Sequence, residues 1–402
     1  MKILQINSVC GSGSTGKIVE QISDYLNSLN IENYIAYGLG NSTRNNTYKI
    51  GNKLDNHFHS FISRKFCLQG YGSIISTIKL IRYVKKINPT IIHLHNIHGH
   101  YLNFPILFKF LKKMDIEVVW TFHDCWPFTG KCAHFTKVKC DKWKNECFNC
   151  PQLHTYPDSE YDRTKKNYID KKRYFTSINK LHIVTVSNWL ETEVKKSFFK
   201  GKDIRCIYNG IDTNVFKFTE SSLRKKLNIE NKFIILGVAS VWNEGKGLDT
   251  FIKLSKYISE DSVIILIGVS IEQIKILPHN IIGITKTENL DELVKFYSIA
   301  DVFINCSLEE TFGLVVAEAM ACGTPAIVYN STACPEIVDN TTGRIVENNL
   351  KELLSAVDFF YKKNFLNIEN NCRNRINKLY NLNSMIENYF KLYTSINNDL
   401  NK

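Results

Sequence analysis

The sequence predicts an α/β protein made of two doubly wound parallel-sheet domains, and three observations lead there. Its 402 residues are enough for about two domains, each with its own core. Short apolar runs rich in β-branched and aromatic residues alternate along the whole length with longer stretches of helical periodicity, the pattern of a parallel sheet covered on both faces. These runs also fall into two series, separated by the polar stretch 217–231.

The first series comprises the runs 3–6, 34–37, 91–94, 118–122, 183–186 and 205–208, and the second 233–238, 263–267, 281–284, 302–305 and 326–328. The two domains are expected to join near residues 212–216, giving a first domain over 1–213, interrupted by a Cys-rich insertion at 126–157, and a second over 214–382. A last helical pattern covers 383–396. Sheets of this kind hold ligands at the carboxyl ends of their strands, so the substrates are expected in the cleft between the domains. The chain has no internal repeat or low-complexity segment.

Composition is that of an ordinary soluble protein, with 44% apolar residues, 22% charged residues and 8 prolines. The first strand pattern starts at Ile3, leaving no room for a signal peptide, and no apolar run approaches 18 residues, so a cytoplasmic location is expected. The net charge of +12 is one-sided: residues 1–200 hold 29 basic against 15 acidic residues, and residues 201–402 hold 22 against 24. Within 58–89, Arg64, Lys65, Lys79, Arg82, Lys85 and Lys86 alternate with Phe61, Phe66, Ile74, Ile75, Ile78 and Ile81, as in an interfacial amphipathic helix. That pattern fits a peripheral contact with an anionic membrane or a solvated basic face. Nucleic acid is not expected, because no reading motif accompanies the charge.

The most informative segment runs from Glu310 through Phe312, Gly313 and Leu314 to Glu318 and on to the small-residue turn 319–325. It reads as a loop after the strand 302–305, followed by a helix starting at Gly313 whose first amides and positive dipole end attract a phosphate or a sugar hydroxyl. Glu318, eight positions after Glu310, is set to accept hydrogen bonds from vicinal hydroxyls such as those of a ribose, with Glu310 near the anion. Gly11-Ser12-Gly13-Ser14-Thr15-Gly16-Lys17 follows the first strand. The spacing suggests a phosphate-binding P-loop, but Ile18 stands where a hydroxyl would hold magnesium, and no acidic strand end accompanies it. Lys246-Gly247 follows the strand 233–238, and His123-Asp124 ends an apolar strand at the edge where site residues gather. His93, His95, His98 and His100 crowd the end of the neighbouring strand, with a spacing that suits hydrogen bonding or packing better than metal.

Taken in order, these motifs resemble the retaining nucleotide-sugar glycosyltransferases of family 4, which have the two-domain GT-B fold. The resemblance runs from the Gly13–Lys17 loop through His123, Asn209-Gly210-Ile211-Asp212 and Lys246-Gly247 to the last helix. It implies transfer of a sugar from a nucleoside diphosphate sugar to a glycan or lipid-linked glycan in cell-surface polysaccharide biosynthesis, with no catalytic cofactor. Gly16 and Lys246 would then face the donor diphosphate, Glu310 the donor sugar or diphosphate, Phe312, Gly313 and Leu314 would shape the donor site, Glu318 would take the ribose, and His123 would lie near the reacting sugar. The final segment, 383–402, would return to the first domain. One departure stands out: Val241 occupies the position where the family has an arginine. Alternatives are a sugar phosphorylase or sugar-nucleotide-processing enzyme on the same fold and, more distantly, a basic zinc protein that binds nucleic acid.

Cys132, Cys140, Cys147 and Cys150 form C-x7-C-x6-C-x2-C inside the insertion. The spacing suggests one structural zinc ion, with no open position for catalysis. Disulfide or redox pairing and unligated thiols are the alternatives, and Cys125 and His134 are substitute ligands.

Overall fold

The computed structural model describes residues 1–362 and 366–400. They form two compact units, residues 1–207 with 386–400, and the described residues of 208–385. The first unit carries seven strands, β1 (Lys2–Val9), β2 (Glu32–Leu39), β3 (Thr47–Lys49), β4 (Ile91–Leu94), β5 (Glu117–Phe122), β6 (Leu181–Thr185) and β7 (Asp203–Cys206), all parallel in the order β3-β2-β1-β4-β5-β6-β7. The second carries β8 (Phe233–Val238), β9 (Ser262–Ile267), β10 (Ile281–Ile284), β11 (Val302–Asn305), β12 (Ala326–Tyr329) and β13 (Gly343–Val346), parallel in the order β10-β9-β8-β11-β12-β13. Each sheet is Rossmann-like, reversing direction beside its first strand, between β1 and β4 and between β8 and β11.

The central strands form because they are buried on both faces. Ile3, Leu4 and Ile6, Ile91 and Ile92, and Val118 to Trp120 have no exposed surface in the first unit, nor do Ile234 to Leu236 and Ile264 to Leu266 in the second. Each such side chain contributes roughly 1.5–3 kcal/mol of transfer free energy. The edge strands β3 and β13 were not expected from the sequence. Thr47-Tyr48-Lys49 is half-buried, and Gly343-Arg344-Ile345-Val346 begins on glycine and exposes Ile345, so neither shows an apolar run. β6 and β7 also lie two residues earlier at their starts than the apolar pattern indicated.

The basic stretch 58–89 departs from the single interfacial helix the pattern suggested. It belongs to two helices, Lys53–Phe66 and Ile74–Ile87, separated by a turn. The first is turned inside out: its buried residues are His59 and Ser63, while Leu54, Phe58 and Phe61 are 81%, 62% and 60% exposed. Backbone satisfaction explains the inversion. His59 Nε2 accepts the amides of Gly70 (3.0 Å) and Gly72 (3.2 Å), which leaves Nδ1 to donate to Ser73 Oγ at 3.0 Å, so one imidazole closes the turn between the helices. No helix among the described residues is long and apolar enough to cross a membrane.

Candidate functional site

The switch point of the second sheet, between the carboxyl ends of β8 and β11, holds the predicted donor residues. The loop after β8 ends in a short turn at Glu244–Lys246, fixed by Asn243, whose side chain accepts the Lys246 amide at 3.1 Å. The loop after β11 meets it, with the Leu308 amide donating to the Gly245 carbonyl at 3.2 Å. Lys246 Nζ and Glu310 Oε1 are thereby 2.5 Å apart, a half-buried ion pair. Glu310 is held by its own backbone: its amide donates to Thr332 Oγ1 at 3.0 Å, and its carbonyl accepts the Ala333 amide at 3.2 Å.

Gly313 then starts the helix Leu314–Ala321 with φ 102°, and a Cβ there would lie 2.9 Å from Cys334 Sγ, so only glycine fits. The helix's own ladder begins with the Val316 and Ala317 amides on the Gly313 carbonyl, so the amides before them, of Leu314 and Val315, lie outside that ladder. Phe312 is buried against Tyr380 and Tyr208, and Leu314 is half-buried in the first turn. Glu318, a turn on, accepts the Tyr297 hydroxyl at 2.9 Å. Tyr297 is fully buried; burial and the Glu318 charge hold its phenol well above the ordinary range, so it is a permanent donor. Sequence reasoning missed Tyr297 and Thr332, since nothing at 21- or 22-residue separation signals a hydrogen bond. Val241 is 65% exposed in the loop where the family has an arginine.

In the first unit the switch-point strands β1 and β4 and their neighbour β5 carry a buried polar chain. Gln5 Nε2 donates to the Val19 carbonyl (3.0 Å), Gln5 Oε1 accepts from His95 Nε2 (3.2 Å), and His95 Nδ1 lies 3.0 Å from His123 Nε2. The amide orientation of Gln5 makes Nε2 the protonated nitrogen of His95. Its Nδ1 therefore accepts from His123 Nε2–H, and His123 Nδ1 is an acceptor. Burial pulls the His123 pKa down to about 4 against the opposing charge of Asp124, so the ring is neutral at pH 7. His98 Nε2 pairs with Asp124 Oδ2 at 2.7 Å, and Trp126 N donates to Asp124 Oδ1. Burial opposes the Asp124 charge, but His98 and that amide outweigh it and hold the carboxyl at about 2. His93 is buried between Thr121 Oγ1 (2.8 Å) and the Tyr393 hydroxyl (2.6 Å), so it serves packing. Gly16 is tightly placed on the helix Gly13–Ser28: a Cβ would come 3.1 Å from Val9 Cγ2 and 3.2 Å from the Gly11 nitrogen, and the Gly16 carbonyl accepts the Gly11 amide.

The insertion brings its four cysteines together. Cys132, Cys140, Cys147 and Cys150 line one cavity of about 20 Å³, which Cys125 and His134 do not reach. Cys132 and Cys150 Sγ are 3.9 Å apart, and Cys147 Sγ accepts the Gly130 amide at 3.1 Å. The expectation of a ready four-thiol cage is corrected in one respect: among the described residues, no three His, Cys, Asp or Glu side chains stand in ligating positions.

Two doubly wound sheets, one with a lysine–carboxylate pair and a helix start at its switch point, are the GT-B architecture of a glycosyltransferase. The family models agree: residues 16–215 match Glycosyltransferase Family 4 and residues 219–379 match Glycosyl transferases group 1, and the chain belongs to this family of glycosyltransferases. An Escherichia coli K12 protein assigned to colanic acid biosynthesis as a glycosyl transferase, WcaC, is 23% identical over 89% of each chain. The N,N'-diacetylbacillosaminyl-diphospho-undecaprenol alpha-1,3-N-acetylgalactosaminyltransferase of Campylobacter jejuni is 23% identical over 73% of this chain and 81% of its own. Among solved structures, a glycosyltransferase from Rickettsia africae (TM-score 0.71, 17% identity, 98% of each chain) and Anabaena Alr3699/HepE in complex with UDP-glucose (TM-score 0.70, 13% identity, 98% of this chain and 100% of that one) share the GT-B fold.

Proposed function

We propose that the protein transfers a sugar, with retention of anomeric configuration, from a nucleoside diphosphate sugar to a hydroxyl of a glycan or lipid-linked glycan in cell-surface polysaccharide assembly. One observation carries the donor half: Lys246, Glu310 and the amides at the Gly313 helix start converge on the switch point of the second sheet, with Glu318 one turn away. When the glycosidic bond breaks, negative charge gathers on the departing diphosphate. Lys246 and the helix start stabilise it without reorganisation, because Glu310 keeps the ammonium oriented before the donor arrives. Glu318 takes the ribose hydroxyls, and Glu310 turns its second oxygen to the donor sugar. Within the first unit, Gly16 at the start of the first helix and His123, a neutral imidazole at the end of β5, are the candidates for a phosphate and a sugar hydroxyl. Relatives support the substrate class: Alr3699/HepE is solved with UDP-glucose, and the Campylobacter jejuni enzyme is named for an undecaprenol-linked substrate. No metal is needed for this step, since an ammonium and a helix start do the neutralising. Thermal denaturation against a panel of nucleoside diphosphates tests the reading: one base should raise the melting temperature, and no response to any of them would contradict it.

A lipid-linked acceptor gains support from the inverted helix. Leu54, Phe58 and Phe61 share one solvent face at i, i+4 and i+7, Ile74 and Ile75 are 52% and 70% exposed on the next helix, and Arg64, Lys65, Lys79, Arg82, Lys85 and Lys86 are exposed around them. Apolar anchors ringed by cations fit a peripheral site on an anionic membrane.

A further inference from the structure

We propose, resting on the acceptor reading above, that the insertion 126–157 builds an acceptor subsite on the first unit: the ring of Tyr156 is a platform on which one pyranose of the glycan acceptor stacks, next to Asp124 and His134 at the carboxyl end of β5. Tyr156 exposes 67% of its surface. A single exposed aromatic needs no explanation by itself. The turn that carries this one does, because it is rigidly built and tied back to the end of β5.

The anchor is Lys131. Its buried ammonium donates to the carbonyls of Gln152 and Thr155, both at 2.9 Å. The Thr155 amide also reaches the Gln152 carbonyl at 3.2 Å, and the Ser159 amide reaches the Leu153 carbonyl at 3.0 Å, so the main chain is held on both sides of Tyr156. Two further bonds lead back to the strand. Gln152 Nε2 donates to the His134 carbonyl at 2.6 Å, and the Cys125 amide, one residue beyond Asp124, donates to the Ala133 carbonyl at 2.9 Å. The electrostatics agree with this path. Burial raises the Tyr156 phenol above its ordinary value and the Asp124 charge adds to it, while the Asp124 carboxyl, against its own burial, is held down by His98, the Trp126 amide and, more weakly, His134. An exposed ring that still feels a buried carboxylate stands beside it.

These groups suit a sugar. An aromatic face is the negative side of the ring and meets the slightly positive axial C–H bonds of a pyranose, and tyrosine offers that face with little side-chain entropy to lose. The phenol stays protonated at neutral pH, so its hydroxyl can donate to a sugar oxygen. A few polar groups around an apolar face fix the orientation of a small ligand, and Asp124 and His134 supply them here. The insertion's other exposed ring, Phe148, already carries Lys142 Nζ 4.7 Å from its centroid.

The test uses the full chain with methyl glycosides of glucose, galactose, N-acetylglucosamine, N-acetylgalactosamine, rhamnose and fucose as probes, and reads saturation-transfer difference NMR in the presence of the nucleoside diphosphate that stabilises the protein. At least one glycoside should take saturation at its ring C–H protons. Tyr156→Ala should weaken its binding about tenfold, whereas Tyr156→Phe, which keeps the ring, should retain it within about threefold. Both variants should hold the parent's melting temperature, because the exposed ring supports no core, and both should bind the nucleoside diphosphate as the parent does in calorimetry. If the alanine variant fails to fold, the parent decides: NOEs from the glycoside to tyrosine ring protons should be present and should vanish in Tyr156→Phe. Equal glycoside binding by parent and Tyr156→Ala, NOEs unchanged in Tyr156→Phe, or no saturation of any probe overturns the proposal. A parent that binds no nucleoside diphosphate contradicts the transferase reading instead, so the two failures are told apart.

Discussion

Replacing Glu318 with alanine tests the donor site most sharply, because the structure separates its effects on binding and on stability. The carboxylate has about four acceptor positions; Tyr297 donates to one at 2.9 Å, and the proposed donor pose assigns two others to vicinal ribose hydroxyls. Hydrogen bonds to a charged group are worth about 1.5–3 kcal/mol each, so losing two costs at least about 3 kcal/mol, or more than 100-fold in affinity. The same substitution strands the buried Tyr297 hydroxyl, at about 1–3 kcal/mol of stability, which corresponds to a fall of a few degrees in melting temperature. Tyr297→Phe is the control: it removes the anchor and leaves no orphan, so Glu318 keeps its charge and donor affinity should drop by less than about tenfold. Calorimetry with the stabilising nucleoside diphosphate gives affinity, and thermal denaturation gives stability. An alanine variant that is destabilised but binds nucleotide as tightly as its parent would show that Glu318 serves only Tyr297.

Lys246→Ala should lower turnover with the donor by about 10²–10³-fold while changing stability by less than about 1 kcal/mol, since its pair with Glu310 is partly solvated; steady-state kinetics with near-normal turnover would remove Lys246 from the reaction. Sedimentation with phosphatidylglycerol vesicles should fall steeply from low to high salt and vanish when Arg82, Lys85 and Lys86 become glutamate, while Phe58→Ser with Phe61→Ser weakens it without changing the salt slope; unchanged sedimentation in both variants would leave a merely solvated face. Stability should also decline in mild acid. Burial lowers His59 to about 3 and His123 to about 4, whereas in the unfolded chain each titrates near 6.5. Between these values the unfolded state binds more protons, so the contribution is complete above about pH 6.5 and is lost toward pH 3–4, at up to about 1.4 kcal/mol per pH unit for each histidine. A melting temperature constant from pH 7 to 4.5 would contradict the buried neutral assignment.

What the sequence made legible follows from how its signals arise. Strands buried on both faces announce themselves as apolar runs, so β1, β4, β5, β8, β9 and β11 were readable; of the four edge strands, β7 and β10 were also indicated, while β3 and β13 carry half-polar residues and were not. Periodicity showed that residues 58–86 form amphipathic helix but not which face is inside. His59 reverses the usual assignment by accepting two backbone amides from a turn eleven to thirteen residues on. The loop–helix grammar around Gly313 was legible because a sharp backbone turn demands specific residues. The partners that hold the site, Glu310 for Lys246, Tyr297 for Glu318 and His95 for His123, are separated by 64, 21 and 28 residues and appear only once the sheets bring their loops together. Cysteine spacing indicated a shared centre, and folding gathers all four around one cavity without setting three of them in ligating positions.

The central claim is sugar transfer from a nucleoside diphosphate donor with retention. Its most direct test is to incubate the full chain with an α-linked nucleotide sugar of the base that stabilises it and an undecaprenyl diphosphate-linked glycan, following the anomeric proton of the product by NMR. A new α-linked sugar on the acceptor, formed in step with release of the nucleoside diphosphate and lost in Lys246→Ala, is the predicted result. A β-linked product would contradict retention, and the absence of transfer from every nucleotide sugar bearing that base would contradict the account as a whole.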